Sequence, residues 1–182
     1  TSNLSVTGRS RYTFLFDEFD PSRSDGLELA ANTEYYYESV EAQYESDRRR
    51  VFSYNVNTTY GEFFNGDLLT LRGGANIRLQ PHLVFGLNVR YDNIDLPDPF
   101  SDNDIWLISP RMEVTFNKSL FWNTLIQYSS LQDNLGINSR LQWRFAPLSD
   151  LFLVYNDNYF TDNVFAPRVR SLNLKVTYWL YL

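Results

Sequence analysis

Apolar and polar residues alternate along most of the chain with a period of two, and turn residues interrupt the alternation roughly every ten to fifteen positions. Helical spacing of apolar residues is nearly absent. A period of two is typical of β-strands, because successive side chains point to opposite faces of a sheet. The pattern predicts an all-β protein with ten strands, at about Leu4–Phe16, Glu34–Glu45, Phe52–Tyr60, Leu69–Leu79, Leu83–Tyr91, Trp106–Phe116, Leu120–Tyr128, Leu135–Phe145, Leu151–Tyr159 and Ser171–Leu182.

The predicted connections between these strands differ in length in a regular way. Those after the even-numbered strands are short, those after the first, fifth and ninth are long, and those after the third and seventh are intermediate. Outer-membrane β-barrels have short periplasmic turns and longer outer loops. The pattern therefore predicts that the tenth strand ends on the periplasmic side, and that any missing part of a barrel precedes Thr1.

The two faces of the predicted strands differ sharply in chemistry. In the eighth strand Leu135, Ile137 and Leu141 share one face and Arg140 lies on the other, with Ser139 an exception on the apolar face. Such alternation fits a soluble sheet with an apolar interior or a membrane barrel with an apolar exterior. Strands of about 9–11 residues suit a membrane span and favour the barrel. Aromatic residues expected at its interfaces are Tyr91, Trp106, Phe116, Tyr128, Trp143, Phe145 and Tyr178.

The opposite face is predicted to line a polar lumen. Its charged residues are Arg72, Arg78, Arg90, Asp92, Arg111, Glu113, Arg140, Arg144 and Lys175. They fit a binding or selectivity surface for an anionic solute. They also fit a network of paired charges that fills the interior, and the narrowness of a barrel of about ten strands favours this second interpretation.

Composition adds three restrictions. Aromatic residues make up 17% of the chain, although its mean hydropathy is −0.37, and this combination suits a barrel with only one face in lipid. The net charge of −6 argues against nucleic acid as a partner. The absence of cysteine excludes disulfides and zinc–thiolate sites.

The sequence offers few candidates for catalysis or metal binding. His82 is the only histidine and falls in a predicted turn after Pro81, away from any partner for acid–base chemistry. The acidic stretch from Asp95 to Asp104 has oxygen ligands for calcium, but it lacks EF-hand spacing and its prolines suit an ordinary loop. We therefore predict no enzyme activity, no metal site and no cofactor.

Several segments resemble one known family. They are Asp133 to Arg144, Ser149 to Asn156, Tyr60 with Phe64-Asn65-Gly66, Pro81-His82-Leu83, and Ser171 to Lys175. Over roughly Val51 to Leu182 the chain resembles the C-terminal barrel of a family of bacterial outer-membrane proteins of unknown function. Members commonly carry an N-terminal domain similar to family-9 carbohydrate-binding modules, which is absent here. Family barrels are also longer than ten strands, so the resemblance raises the alternative that this chain is part of a larger barrel.

The sequence therefore predicts a transmembrane, antiparallel up-and-down β-barrel of the Gram-negative outer membrane, with residues 1–182 as one domain. Its expected roles are a porin-like pore, a transport component or a surface anchor. Expected partners are outer-membrane lipid, the barrel-assembly machinery, and further strands or another chain that complete the barrel. Two alternatives stay open: a soluble β-barrel that binds a small ligand, and a membrane-embedded hydrolase or acyltransferase.

Overall fold

Ten antiparallel strands form one sheet in the computed structural model, which describes residues 1–162 and 165–180. Each strand pairs with the next in the chain, so the topology is up-and-down, and the described residues contain no helix. The all-β class and the number of strands are confirmed. The strands are β1 (Asn3–Leu15), β2 (Thr33–Glu45), β3 (Phe52–Phe63), β4 (Gly66–Leu79), β5 (Leu83–Asp95), β6 (Asn103–Asn117), β7 (Leu120–Ser129), β8 (Asn134–Ala146), β9 (Ser149–Phe160) and β10 (Ala166–Thr177).

The order of the strands leaves β1 and β10 at the two edges of the sheet. No pairing joins these two strands among the described residues. The connections after β4, β6 and β8 are tight, at residues 80–82, 118–119 and 147–148, whereas the connection after β1 spans residues 16–32. The connection after β2 is longer than predicted, at residues 46–51.

The turn between β3 and β4 differs from its prediction. The expected connection of intermediate length is wrong, because the strands are joined by residues 64–65 alone. Phe64 adopts a φ of 53°, as two-residue hairpins require at their central positions. Its ring packs at centroid distances of 5.2 Å from Phe19 and 5.4 Å from Tyr35. These long-range contacts stabilise a residue type that turns seldom carry at this position.

The last strand also begins and ends earlier than predicted. It starts at Ala166, inside the expected loop, and it ends at Thr177. A register shift between Pro167 and Val169 marks a bulge, and an edge strand tolerates proline there because no ladder bond is lost. The predicted strand end at Tyr181 and Leu182, and the loop residues Asn163 and Val164, lie outside the described residues.

Two compact units share the sheet. The first unit comprises residues 1–48, 54–74 and 89–106, and the second comprises residues 49–53, 75–88 and 107–182. Strands β3 to β6 contribute residues to both. The prediction of a single domain over the whole chain stays a prediction.

The first unit has a small apolar core. Ile94, Leu96 and Ile105 are buried, and Phe63, Leu68 and Phe100 pack against them. In the second unit, no large apolar side chain of the described residues is buried. The strands of the second unit therefore leave their apolar side chains at least partly accessible.

Candidate functional site

A polar cavity lies within the first unit, with a volume of about 260 Å³. Its charged lining is strongly basic, since two carboxylates, Glu62 and Asp92, face a larger set of guanidinium groups. That set comprises Arg9, Arg11, Arg23, Arg72 and Arg90. We call this feature the arginine cavity. It brings together three of the predicted lumen residues, Arg72, Arg90 and Asp92, and adds Arg9, Arg11 and Arg23.

Arg90 and Asp92 form a two-point ion pair on β5. Arg90 Nη2 lies 2.8 Å from Asp92 Oδ2, and Arg90 Nε donates to Asp92 Oδ1 at 3.1 Å. Thr70 on β4 donates its hydroxyl to the same Oδ1 at 2.7 Å. Asp92 is buried, and this set of donors compensates its loss of water. The Asp92 carboxylate is therefore already bonded to Arg90 and Thr70, which line the same cavity.

A second pair joins β1 to β2. Arg9 Nη2 lies 2.5 Å from Glu41 Oε2, and Asn57 donates to Glu41 Oε1 at 2.5 Å. The remaining acidic residue of the lining, Glu62, accepts a hydrogen bond from the backbone N–H of Glu38 at 3.1 Å. Each of these carboxylates therefore already has a partner: Asp92 and Glu41 form ion pairs with arginines, and Glu62 accepts a backbone hydrogen bond.

Three arginines of the cavity stand apart from these pairs. Arg11, Arg23 and Arg72 form no ion pair with a carboxylate in the described part of the chain. Arg11 lies over the ring of Tyr37, with its Cζ 6.0 Å from the ring centroid, and the Tyr37 hydroxyl lies 3.0 Å from Thr13 Oγ1. An aromatic face stabilises a guanidinium without neutralising its charge.

Arg23 reaches the cavity from the connection between β1 and β2. Asp20 organises this loop, since its Oδ1 accepts from the Ser22 N–H and hydroxyl at 2.8 and 2.6 Å. Its Oδ2 accepts from the N–H groups of Ser24 and Gly26 at 3.0 and 3.1 Å. Burial by itself raises the pKa of Asp20, but these hydrogen bonds outweigh it and hold the pKa below its ordinary value.

The loop is also tied to the start of β6. Asn103 donates to the Ser22 carbonyl oxygen at 2.7 Å, and Ser22 is buried. The next residue, Arg23, adopts a φ of 57°, a conformation that disfavours residues with a side chain. The anchored loop therefore holds Arg23 in the left-handed conformation beside the cavity.

Another group of predicted lumen residues lies in the second unit. Arg111, Glu113 and Arg140 line a recess of about 430 Å³ together with Asn123 and Asn138. The register aligns Glu113 with Asn123, Asn123 with Arg140, and Arg111 with Leu125. Arg111 Nε lies 3.4 Å from Glu113 Oε1. The recess therefore holds one ion pair, and Arg140 forms none with a carboxylate in the described part of the chain.

The other predicted lumen residues of the second unit are more scattered. Arg144 Nε lies 3.6 Å from Asp150 Oδ1. Lys175 is aligned with Phe152, which is aligned with Gln142, so it shares the face of Arg140. Arg78 donates its backbone N–H to Val51 at 2.8 Å. None of the three lines the recess.

The aromatic residues predicted at interfaces form several ring contacts. Tyr91 and Trp106 have centroids 4.5 Å apart in the first unit. In the second unit Phe145 lies 5.8 Å from Trp143 and stacks on Tyr178 at 6.3 Å. Phe116 is exposed, and Tyr128 is aligned with Leu135. These contacts concentrate aromatic surface near strand ends.

Several polar groups on the apolar face of the second unit form hydrogen bonds with each other. Trp122 Nε1 donates to Ser139 Oγ at 2.8 Å, which accounts for the serine among apolar neighbours. On β9 and β10, Asp157 Oδ2 accepts from Tyr155, Tyr159 and Arg170 at 2.5, 2.7 and 2.9 Å. The Asp157 side chain is 0% exposed.

The candidates for catalysis and metal binding are separate from these sites. His82 is exposed in the turn at residues 80–82, and its Nδ1 lies 3.1 Å from the Thr115 carbonyl oxygen. In the acidic stretch, Asp102 accepts from the Leu96 N–H at 2.9 Å and Asp104 from the Tyr91 hydroxyl at 2.7 Å. Within the described residues, no group of three or more His, Asp or Glu residues is arranged to hold a metal ion.

Sequence reasoning missed three of the five arginines of the cavity, namely Arg9, Arg11 and Arg23. Arg9 and Arg11 lie in the predicted first strand on the face opposite Tyr12, and this alternation was the signal that could have placed them with Arg72. Arg23 lies in a loop and gave no such signal. The Asp157–Arg170 pair was also missed, because only the register of β9 and β10 aligns the two residues.

No family model, curated protein or solved structure matches this chain. The family resemblance therefore stays a prediction. Among the described residues there is no helix whose length and apolarity would let it span a membrane.

Proposed function

We propose that this chain is an integral outer-membrane β-barrel protein, or a segment of one, whose apolar strand faces contact lipid. The observation that carries the proposal is the exposure of large apolar side chains on every one of the ten strands. In the second unit this exposure occurs without a buried apolar core among the described residues. A soluble sheet would bury one of its faces.

The surface area supports the same conclusion. The chain exposes 12425 Å², whereas the scaling for soluble globular proteins gives roughly 9,100 Å² for a chain of 21.4 kDa. Soluble monomers rarely expose contiguous apolar patches above a few hundred Å². Lipid would cover the apolar part of this surface, and the strand lengths of 10 to 15 residues are sufficient to cross a bilayer.

The chemistry of the apolar face also suits lipid. A polar group that meets hydrocarbon must find its partner within the protein. The indole N–H of Trp122 donates to Ser139, and Asp157 Oδ2 accepts hydrogen bonds from Arg170 and two tyrosines. Aromatic pairs such as Tyr91–Trp106 resemble the interfacial girdles of outer-membrane barrels.

A bilayer also restricts the edges of the sheet. Unpaired backbone groups on β1 and β10 cannot face hydrocarbon. We propose that β1 pairs with β10, with further strands or with another chain in the membrane. The opposite, polar face then lines a hydrated interior with the charged residues of the arginine cavity and of the second unit. A pore, a transport component or a surface anchor would all have this arrangement.

Membrane extraction tests the proposal. The full chain, expressed in a Gram-negative host with a secretion signal, is expected in the outer-membrane fraction and should resist carbonate and urea. Release into the supernatant without detergent, as a monomer that stays in solution, would refute the proposal and favour a soluble β-protein. Detergent should release the chain as a folded, protease-resistant species.

A further inference from the structure

We propose that the arginine cavity binds a small phosphate ester, with its phosphate at Arg11, Arg23 and Arg72. The proposal concerns a cavity that lies wholly within the first unit. It does not depend on membrane insertion, so it goes beyond the function proposed above and is tested separately from it.

The balance of charge is the first argument. The lining holds five arginines and two acidic residues, and with Glu41 counted the excess is two positive charges. Arg90 is committed to Asp92 and Arg9 to Glu41, a residue just outside the lining. An interior network of paired charges would not leave the other three guanidinium groups without a carboxylate. Several cations without carboxylate partners around one cavity favour an anionic partner.

The geometry of the donors is the second argument. Arg11 comes from β1, Arg23 from the connection after it, and Arg72 from β4, so three separate parts of the chain supply the guanidinium groups. Hydroxyl groups of Ser39 and Thr59 line the same cavity. A phosphate ester carries up to two negative charges and three terminal oxygens, and it matches three planar, multidentate donors better than a single carboxylate does.

The apolar part of the lining suggests the rest of the ligand. Phe63, Leu68, Ile94 and Ile105 reach the cavity from the small core of the first unit. A wall of this kind favours a ring or short alkyl group next to the phosphate. The volume of about 260 Å³ limits that group to a small one.

Isothermal titration calorimetry on the full chain, folded in uncharged detergent micelles at low salt, tests the proposal. The probes are phenyl phosphate, inorganic phosphate, benzoate and phenol. Phenyl phosphate is expected to bind with 1:1 stoichiometry and more tightly than inorganic phosphate, because only the ester reaches the apolar wall. Benzoate should bind more weakly than phenyl phosphate, and phenol should not bind measurably.

Two variants and a matched control localise the site. Arg72→Gln should weaken phenyl phosphate binding by about tenfold or more, the typical effect of losing one charge-assisted hydrogen bond. Arg23→Gly should weaken it similarly while it preserves the fold, because glycine accepts the φ of 57° without strain. Arg140→Gln removes one arginine from the recess of the second unit and should leave the affinity unchanged.

Three results would overturn the proposal. They are the absence of measurable binding by the folded wild-type chain, an affinity for benzoate equal to that for phenyl phosphate, and equal weakening by Arg140→Gln and Arg72→Gln. The last result would indicate diffuse charge attraction. Membrane extraction is scored independently, so a chain that resists carbonate but binds no phosphate ester refutes only the anion site.

Discussion

The indole N–H of Trp122 on β7 donates a 2.8 Å hydrogen bond to the hydroxyl of Ser139 on β8. The same hydroxyl lies 2.9 Å from Thr124 Oγ1. Ser139 therefore interrupts the apolar face of β8 without leaving the polar groups around it unpaired. Hydrocarbon offers no water as a hydrogen-bond partner, so an indole N–H that faces lipid needs an acceptor within the protein.

We expect Ser139→Ala to destabilise the protein by about 1–2 kcal/mol in lipid vesicles, because the indole loses its acceptor. A double-mutant cycle with Trp122→Phe, followed by urea unfolding in vesicles, should give a coupling energy of about 1 kcal/mol. Additive effects of the two changes would show that the hydrogen bond contributes nothing.

The Asp157–Arg170 pair should be more sensitive than its counterpart at the other end of β9. The Asp157 side chain is 0% exposed, whereas Asp150, which pairs with Arg144, is 21% exposed. Both arginines are half-exposed, so the difference lies in the carboxylates: an exposed carboxylate is screened by water, whereas a buried one is costly to leave without its partners. Asp157→Asn should lower the urea midpoint clearly, and Asp150→Asn should shift it only slightly. Equal shifts would contradict this assignment.

Adjacent residues on β10 distinguish a lipid-facing surface from a water-facing one. Leu174 is 65% exposed, and Asn173 points to the opposite face. In a bilayer Leu174→Lys should cost up to about 2–4 kcal/mol, depending on depth, and Asn173→Lys much less. For a soluble protein both changes should stay within about 0.5 kcal/mol. Unfolding titrations in vesicles provide the comparison.

Two glycines of the first unit have opposite surroundings. A Cβ at Gly61 would meet the Glu38 carbonyl oxygen and the Ser39 backbone, whereas a Cβ at Gly73 would have no neighbour within 4 Å. Gly61→Ala should therefore force β2 and β3 apart locally and cost about 1–3 kcal/mol. Gly73→Ala is the control and should change the free energy of unfolding by no more than about 0.5 kcal/mol.

Acid should release the loop that carries Arg23. The hydrogen bonds to Asp20 lower its pKa in the folded protein, so their contribution is complete above the ordinary aspartate pKa of about 3.9. It is lost as the pH falls through the lower, folded pKa. NMR titration of the Ser24 and Gly26 amides should follow that transition, and Asp20→Asn should abolish it. A midpoint above 3.9 would contradict the proposed anchoring.

The arrangement of the strands was largely readable from the sequence. Alternation in segments such as 135–145 and 83–91 is local, because each residue's face depends only on its position along its own strand. This is why ten strands and the shared face of Arg111, Glu113 and Arg140 followed from the pattern. Turn propensity is also local, and it failed at Phe64, where packing against Phe19 and Tyr35 overrides it.

The sequence by itself determined the strand class, the separation of polar and apolar faces, and a surplus of arginine on one face. Only the tertiary structure decided which arginines meet. Arg11, Arg23 and Arg72 gather at one cavity because strand pairing and the anchored loop bring distant parts of the chain together. Whether a guanidinium then finds a carboxylate depends on atomic distances across strands, which a period of two along each strand does not encode.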